Sequence, residues 1–125
     1  MSGRVVHFEI PFDDGDRARS FYRDAFGWNV QEIPDMHYTI VSTGEVGEDG
    51  FPAEKGYIGG GMLKRESPTD RPVITIEVDD IDEALARIES LGGMTLVGRQ
   101  AVGEMGFAAY FKDVEGNLMG LFQPR

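Results

Sequence analysis

A histidine and a glutamate two residues apart stand in the first apolar segment of the chain, VVHFEIPF. If this segment is a β-strand, His7 and Glu9 lie on the same face, because alternate side chains of a strand point to the same side. An imidazole beside a carboxylate can act as an acid–base pair, and each group can also bind a metal ion. His7 and Glu9 are therefore the candidate catalytic residues, with a hydrogen-bonded structural role as the competing interpretation.

Other reactive side chains are few. The 125 residues include no cysteine, which excludes disulfides, thiolate metal ligands and a cysteine nucleophile. The other histidine is His37, and nothing in the sequence places it beside His7. With 12 basic and 22 acidic residues, the net charge is −10. Such a chain repels phosphate backbones, so no nucleic-acid partner is expected, and it favours a cationic ligand unless the charge serves solubility alone.

Two amphipathic segments predict the helices that position these residues. Residues 16–26 carry apolar side chains at helical spacing, and Asp14 and Gly27 are suited to cap the two ends. Residues 81–91 repeat the pattern behind a capping Asp80. The first helix is expected to pack against a sheet through its aromatic residues, Phe21, Tyr22 and Phe26.

The chain contains one internal repeat. Its first strand and helix recur 66 residues later, so that Asp14 corresponds to Asp80 and Gly27 to Gly93. The ends of the two copies match at a spacing of 60, where KGYIGGGMLKR precedes EGNLMGLFQPR. The difference of six predicts an insertion at 44–54, a Gly-rich acidic segment that we expect to be a mobile loop.

Each copy is predicted to be a β-α-β-β-β module. Strand-like segments bounded by turn residues follow each helix, at 28–33, 36–42, 94–97 and 107–112. The sequence thus predicts one α+β domain over residues 1–125, with a first module at 1–66, a linker at 67–72 and a second module at 73–125. Two copies make a paired-module fold, because a solenoid needs three or more repeats.

Three stretches resemble the vicinal oxygen chelate superfamily, which includes glyoxalases, bleomycin resistance proteins and dioxygenases. They are VVHFEIPFDDGDRARSFYRDAFGW, PVITIEVDDIDEALARIESLGG and DVEGNLMGLFQ. The resemblance extends over nearly the whole chain. It implies that each module curls its four-stranded sheet into half a barrel, that the two modules enclose a cleft, and that the protein forms a homodimer.

The resemblance also implies where a metal would bind. In metal-using members four positions point into the cleft, and here they hold His7, Gly60, Val73 and Gly120. Only His7 can bind a metal ion, because valine and glycine have no donor side chain. Glu9 could add an oxygen, but a catalytic divalent site needs about three protein ligands. We therefore expect no metal site and no cofactor, with a divalent metal left open.

The same comparison predicts a ligand-binding cleft. Gly60 and Gly120 would enlarge a cavity at matching places, whereas a bulge or tight sheet curvature is the competing explanation. Phe122 shares a strand face with Gly120 and is expected to line the pocket. Other aromatic residues, among them Tyr38 and Tyr57, could line it or belong to the core. The predicted cleft residues are His7, Glu9, Gly60, Val73, Thr75, Gly120 and Phe122.

Three functions are compatible with this pattern. The first is a metal-independent protein that binds a small organic ligand, cationic or aromatic, as antibiotic-sequestering relatives do. The second is a metal-dependent lyase, isomerase or oxygenase that uses His7 with a reduced ligand set. The third is a non-catalytic interaction domain. Whether the protein is an enzyme is left open.

The expected location is the cytoplasm. The first residues lack the charged and apolar regions of a signal peptide. No apolar run approaches the ~18 residues of a membrane helix, so no membrane partner is expected. The lack of cysteine fits a reducing compartment.

Overall fold

The computed structural model describes residues 3–125, which form two compact units. The first unit is His7–Pro72, and the second comprises Val73–Arg125 with residues 3–6. The first module begins with β1 (Val5–Phe12), most of which lies in the first unit. It continues with α1 (Gly15–Phe26), β2 (Asn29–Ile33), a short 3-10 helix (Pro34–Met36), β3 (Tyr38–Ser42) and β4 (Gly59–Lys64). The elements of the second module are β5 (Val73–Glu77), α2 (Ile81–Ser90), β6 (Met94–Val102), β7 (Gly106–Lys112) and β8 (Leu118–Pro124).

Each module has the same strand order. In the first, the order is β2-β3-β4-β1, with β1 and β4 parallel and the other neighbours antiparallel. In the second, the order is β6-β7-β8-β5, with β5 and β8 parallel. The predicted α+β fold of two tandem β-α-β-β-β modules is confirmed. No helix in residues 3–125 is long and apolar enough to cross a membrane.

The helix ends follow the predicted capping. The Asp14 side chain accepts a hydrogen bond from the backbone N–H of Arg17, and Gly27 closes α1 in the left-handed conformation with φ 73°. The Asp80 side chain accepts from the backbone N–H of Glu83 in the same way at the start of α2. These caps fix where each helix begins beside its sheet.

The second unit has a well-defined core between α2 and its sheet. Ile81 and Leu85 of α2 are buried against three residues of β7 and β8, which are Ala109, Phe111 and Leu121. Burying each large apolar side chain stabilises the fold by roughly 1.5–3 kcal/mol. Helix α2 thus covers one face of this sheet and does not cover the other face.

Helix α1 differs from the prediction. None of its residues is buried, and Phe21 and Phe26 are 58% and 63% exposed, so the prediction that they lie in the core was wrong. The reason is Trp28, which follows the helix and stacks on Tyr22 with ring centroids 5.0 Å apart. Trp28 also packs against Phe8 at 5.8 Å, so one tryptophan takes the place expected for the helix phenylalanines.

The insertion at 44–54 closes on itself through backbone hydrogen bonds. The N–H of Gly47 donates to the Phe51 carbonyl over 2.8 Å, and that of Ala53 donates to the Glu45 carbonyl over 2.9 Å. The Tyr57 hydroxyl accepts a further bond from Ala53, and its ring covers Gly44 so closely that a Cβ there would lie 2.7 Å away. Tyr57 therefore fixes this turn, while mobility of the segment stays a prediction.

Candidate functional site

A chain of hydrogen bonds joins His7, Tyr38 and Glu9 in the first unit. Nε2 of His7 lies 2.8 Å from the Tyr38 hydroxyl, which donates to Oε2 of Glu9 over 2.8 Å. The His7 and Tyr38 rings are nearly parallel, with an interplanar angle of 16°. The two predicted catalytic candidates are thus brought together, and a tyrosine connects them.

Gly61 is what allows Tyr38 to reach these residues. Tyr38 is on β3 and the other two are on β1, with β4 between the two strands. Gly61 pairs with Glu9 on that intervening strand, and a Cβ at this position would overlap the ring and hydroxyl oxygen of Tyr38. The tyrosine therefore lies across β4 in the space that the missing side chain leaves.

The pairing register also changes the role of the neighbouring glycine. Gly60 pairs with Phe8, and a Cβ on Gly60 would lie 2.6 Å from the Phe8 ring. Gly60 therefore faces the side of Phe8 and Trp28, and it does not share a face with His7 and Glu9. Because side chains alternate along a strand, a shift of one residue in the alignment moves a position to the other face.

The predicted cleft residues of the second unit share one face of its sheet. Thr75 pairs with Gly120, and Phe122 is two residues further along the same strand. A Cβ on Gly120 would lie 2.9 Å from Oγ1 of Thr75 and 3.5 Å from Cγ1 of Val73. By strand register, Gly120 thus corresponds to Gly61 rather than to Gly60. Val73 and Thr75 are 1% and 7% exposed.

Two residues of this hydrogen-bonded arrangement, Tyr38 and Gly61, were not singled out by the sequence prediction. Tyr38 was one of several aromatic residues that could line a pocket or belong to the core, and Gly61 was not distinguished from its glycine neighbours. The sequence signal for this contact is the combination of Gly61 in one strand and Tyr38 in the neighbouring strand. A glycine in the middle of a strand leaves room for a long side chain from the next strand. Reading that signal requires the strand register, which depends on residues 31 positions apart.

Burial governs the protonation of His7. It lowers the pKa of the imidazole below its ordinary value of 6.5, and the negative charge of Glu9 opposes part of this effect. His7 is therefore neutral at neutral pH. A neutral imidazole bonded to a phenol can accept or pass on a proton, or hold a ligand by a hydrogen bond.

The donor set does not fit the metal site that the superfamily resemblance implies. Of the implied positions only His7 has a side chain that can bind a metal, because valine and glycine, as at Val73 and Gly120, have no donor atoms. Within residues 3–125, no three His, Cys, Asp or Glu side chains are grouped closely enough to hold a metal ion.

An open polar groove lies elsewhere in the first unit, at the beginning of α1. Its walls include Asp16, Arg19, Glu32 and Lys64. Arg19 is largely buried there, with bonds to Asp16 at 2.7 Å and to the Thr39 hydroxyl at 3.1 Å. Arg19 thus connects α1 to β3, so Arg19 and Asp16 have a structural role.

Comparisons with known proteins relate the sequence and the fold to a known group of proteins. Residues 4–44 match the family described as bleomycin resistance protein-like, N-terminal. A glyoxylase-like domain-containing protein of Didymella fabae is 29% identical over 126 residues, covering 94% of this chain and 91% of the relative. The family match includes the strand that carries His7 and Glu9.

Solved structures give the fold. A hypothetical protein, BH1468, from Bacillus halodurans C-125 has a TM-score of 0.68 at 16% identity, over 100% of this chain and 96% of the other. The chain has the glyoxalase-like fold. The chain is also similar to a glyoxalase/bleomycin resistance protein/dioxygenase superfamily member from Vibrio splendidus 12B01, with a TM-score of 0.62 and 19% identity over 99% of this chain and 100% of that one.

A further structure with the same fold is an epimerase. Streptomyces coelicolor methylmalonyl-CoA epimerase, in complex with 2-nitronate-propionyl-CoA, has a TM-score of 0.66 and 19% identity, over 99% of each chain. At this identity the likeness concerns the fold alone. The predicted resemblance to the glyoxalase, bleomycin resistance protein and dioxygenase superfamily is confirmed.

Proposed function

We propose that this glyoxalase-like protein binds a small organic molecule at the sheet face that carries His7, Tyr38 and Glu9, without the usual metal site of its superfamily. The observation that carries this proposal is the continuous hydrogen-bond chain from Nε2 of His7 through the Tyr38 hydroxyl to Glu9. These hydrogen bonds give Nε2 of His7 a protein partner and fix three polar side chains in one place. Fixed polar groups that converge in one place are typical of ligand sites.

The second unit has a separate candidate surface for ligand binding. Thr75 is largely buried, yet its hydroxyl has no hydrogen-bond partner among the described residues. The described residues also include no fully buried side-chain oxygen or nitrogen without a partner, so this hydroxyl is reachable by solvent or ligand. Phe122 lies on the same face and can supply apolar contact. We propose Val73, Thr75, Gly120 and Phe122 as ligand contacts for this reason.

Charge guides the choice of ligand class. The epimerase relative was solved with an acyl-CoA compound, which carries several phosphate charges. The present chain has a net charge of −10, which disfavours such an anion unless a cationic site offsets it. We therefore propose a cationic or aromatic ligand.

A ligand panel tests the proposed function. Thermal unfolding is measured with small aromatic cations, neutral compounds and anions, because a ligand at 100 times its Kd adds ~2.7 kcal/mol to the free energy of unfolding. We expect stabilising compounds whose effect is strongly reduced by His7→Gln. The matched control is His37→Gln, which removes the other histidine, at the end of the short 3-10 helix. A panel without any stabilising compound would refute small-molecule binding.

Metal content decides between this proposal and a metalloenzyme. Protein purified without a tag or chelator is analysed for transition metals, together with His7→Ala. About one metal per chain, lost in the variant, would overturn the metal-independent proposal and favour a lyase, isomerase or oxygenase with substituted ligands. A chain that stays metal-free when Ni, Zn, Mn or Fe is added supports it.

We also propose that the protein is a homodimer and that it is located in the cytoplasm. We define the aromatic surface as Phe21, Tyr22, Phe26 and Trp28, in which two phenylalanines are more than half exposed. Contiguous exposed aromatic residues are typical of protein interfaces. We propose a second copy of this chain as the occupant, while a non-catalytic interaction domain is the second candidate function favoured by the same surface.

A further inference from the structure

The direction of the two hydrogen bonds fixes the tautomer of His7. A phenol has a single proton, and Tyr38 donates it to the Glu9 carboxylate. The bond between Tyr38 and His7 must then be donated by the imidazole, through Nε2–H. In the neutral ring the other nitrogen, Nδ1, is therefore an acceptor with a lone pair.

That second nitrogen is open. His7 makes no other hydrogen bond with the described residues. The same part of the chain contains no fully buried side-chain nitrogen or oxygen that lacks a partner. Nδ1 of His7 is therefore accessible from outside the protein, although the ring as a whole is half-buried.

An acceptor at this place discriminates between ligand groups. A carboxylate or phosphate offers only lone pairs to Nδ1, so it would meet the imidazole without a proton to share. An N–H or O–H group makes the bond. A positively charged donor is further favoured, because charge-assisted hydrogen bonds are the stronger ones and the carboxylate of Glu9 ends the same chain.

We infer that the ligand of this site is a small organic ammonium ion, held by a hydrogen bond from its N–H to Nδ1 of His7. This inference rests on the proposed function, because it names the ligand class of the same site. Tyr38 is a positioning residue, since it holds the imidazole in the tautomer that exposes the acceptor. Gly61 supports Tyr38 in turn by leaving room for it.

The test uses three probes that differ in one group: benzylamine hydrochloride, benzyl alcohol and sodium benzoate. Nitrogen-15 NMR of the two histidines is recorded on the full chain at about pH 7.5, with His37→Gln to assign the signals. We expect His7 in the Nε2–H tautomer. Benzylammonium should shift the Nδ1 signal to saturation, benzyl alcohol should bind more weakly, and benzoate should leave the signal unchanged.

A variant separates positioning from simple contact. Tyr38→Phe removes the acceptor for Nε2–H, so both tautomers become populated and benzylammonium binding should weaken at least about fivefold. His37→Gln should bind as the wild type does. If Tyr38→Phe fails to fold, the tautomer and the three titrations on the wild type still decide the matter.

The outcomes distinguish the two proposals. The Nδ1–H tautomer, or benzoate binding as tightly as benzylammonium, overturns the ammonium inference and leaves small-molecule binding intact. Absence of benzylammonium binding while other compounds of the panel stabilise the protein has the same meaning. If no compound of any class binds, the proposed function fails as well.

Discussion

The imidazole of His7 couples a local hydrogen bond to the stability of the whole protein. Its pKa is lowered in the folded state by burial, whereas in the unfolded chain it titrates near 6.5. Below that pH the unfolded chain therefore binds the proton more readily than the folded protein does. The contribution of His7 to stability is complete above about pH 6.5 and is lost as the pH falls through the folded-state pKa.

The wild type should therefore lose stability relative to His7→Gln as the solution is acidified. Glutamine stays neutral and keeps a donor for Tyr38, so only the titration is removed. Urea unfolding between about pH 8 and about pH 5 gives the free-energy difference, and each unit between the two pKa values is worth about 1.4 kcal/mol. His37→Gln retains His7 and should keep the wild-type slope. A pH-independent difference between wild type and His7→Gln would contradict this account.

At the scale of strands, the site depends on a side chain that crosses its neighbour. Tyr38 of β3 passes over β4 at Gly61 to reach β1. Side-chain hydrogen bonds thereby join β3 to β1 across β4, in addition to the backbone ladder. Any side chain at position 61 competes with the tyrosine for the same space.

Gly61→Ala should accordingly displace Tyr38, break both of its bonds in the chain and lower the free energy of unfolding by about 1–3 kcal/mol. Gly98→Ala is the matched control, because that strand glycine has open space where the Cβ would be. Chemical denaturation of the two variants is compared with that of the wild type. Equal stability of Gly61→Ala and Gly98→Ala would show that Tyr38 can move without cost.

Much of this element-level arrangement could be predicted from local patterns. The caps at Asp14 and Asp80 depend on nearby residues, and the internal repeat appears as matching residue types at a fixed spacing, so both modules could be predicted. The link between His7 and Tyr38 could not be predicted, because it depends on strand register across 31 residues. The same limitation shifted the glycine alignment by one position and hid Gly61. The exposure of Phe21 and Phe26 escaped for another reason, since helical periodicity identifies an apolar face without showing what fills the space beneath it.

For the whole molecule, the balance between charge and apolar exposure matters most. A net charge of −10 disfavours association, while the aromatic surface of α1 favours it. A specific contact is expected to prevail where both phenylalanines become buried, because each contributes roughly 1.5–3 kcal/mol when removed from water.

The protein should sediment as a dimer, and the double variant Phe21→Ser/Phe26→Ser should sediment as a monomer. Circular dichroism should be unchanged, since both side chains are mostly exposed in the single chain. Met105→Ser removes an apolar side chain of similar exposure in the second unit and should leave the dimer intact. Monomeric wild-type protein, or a dimer that survives the double substitution, would exclude the aromatic surface as the interface.

The stacking of Trp28 on Tyr22 makes the two halves of the molecule spectroscopically distinct. Trp28 is the one tryptophan of the sequence and lies in the first unit, so its emission monitors that unit alone. Far-ultraviolet dichroism monitors the helices and strands of both. The two signals, followed in one denaturant titration, report directly on cooperativity: coincident curves signify a single folding unit, and separated curves signify two modules that melt independently.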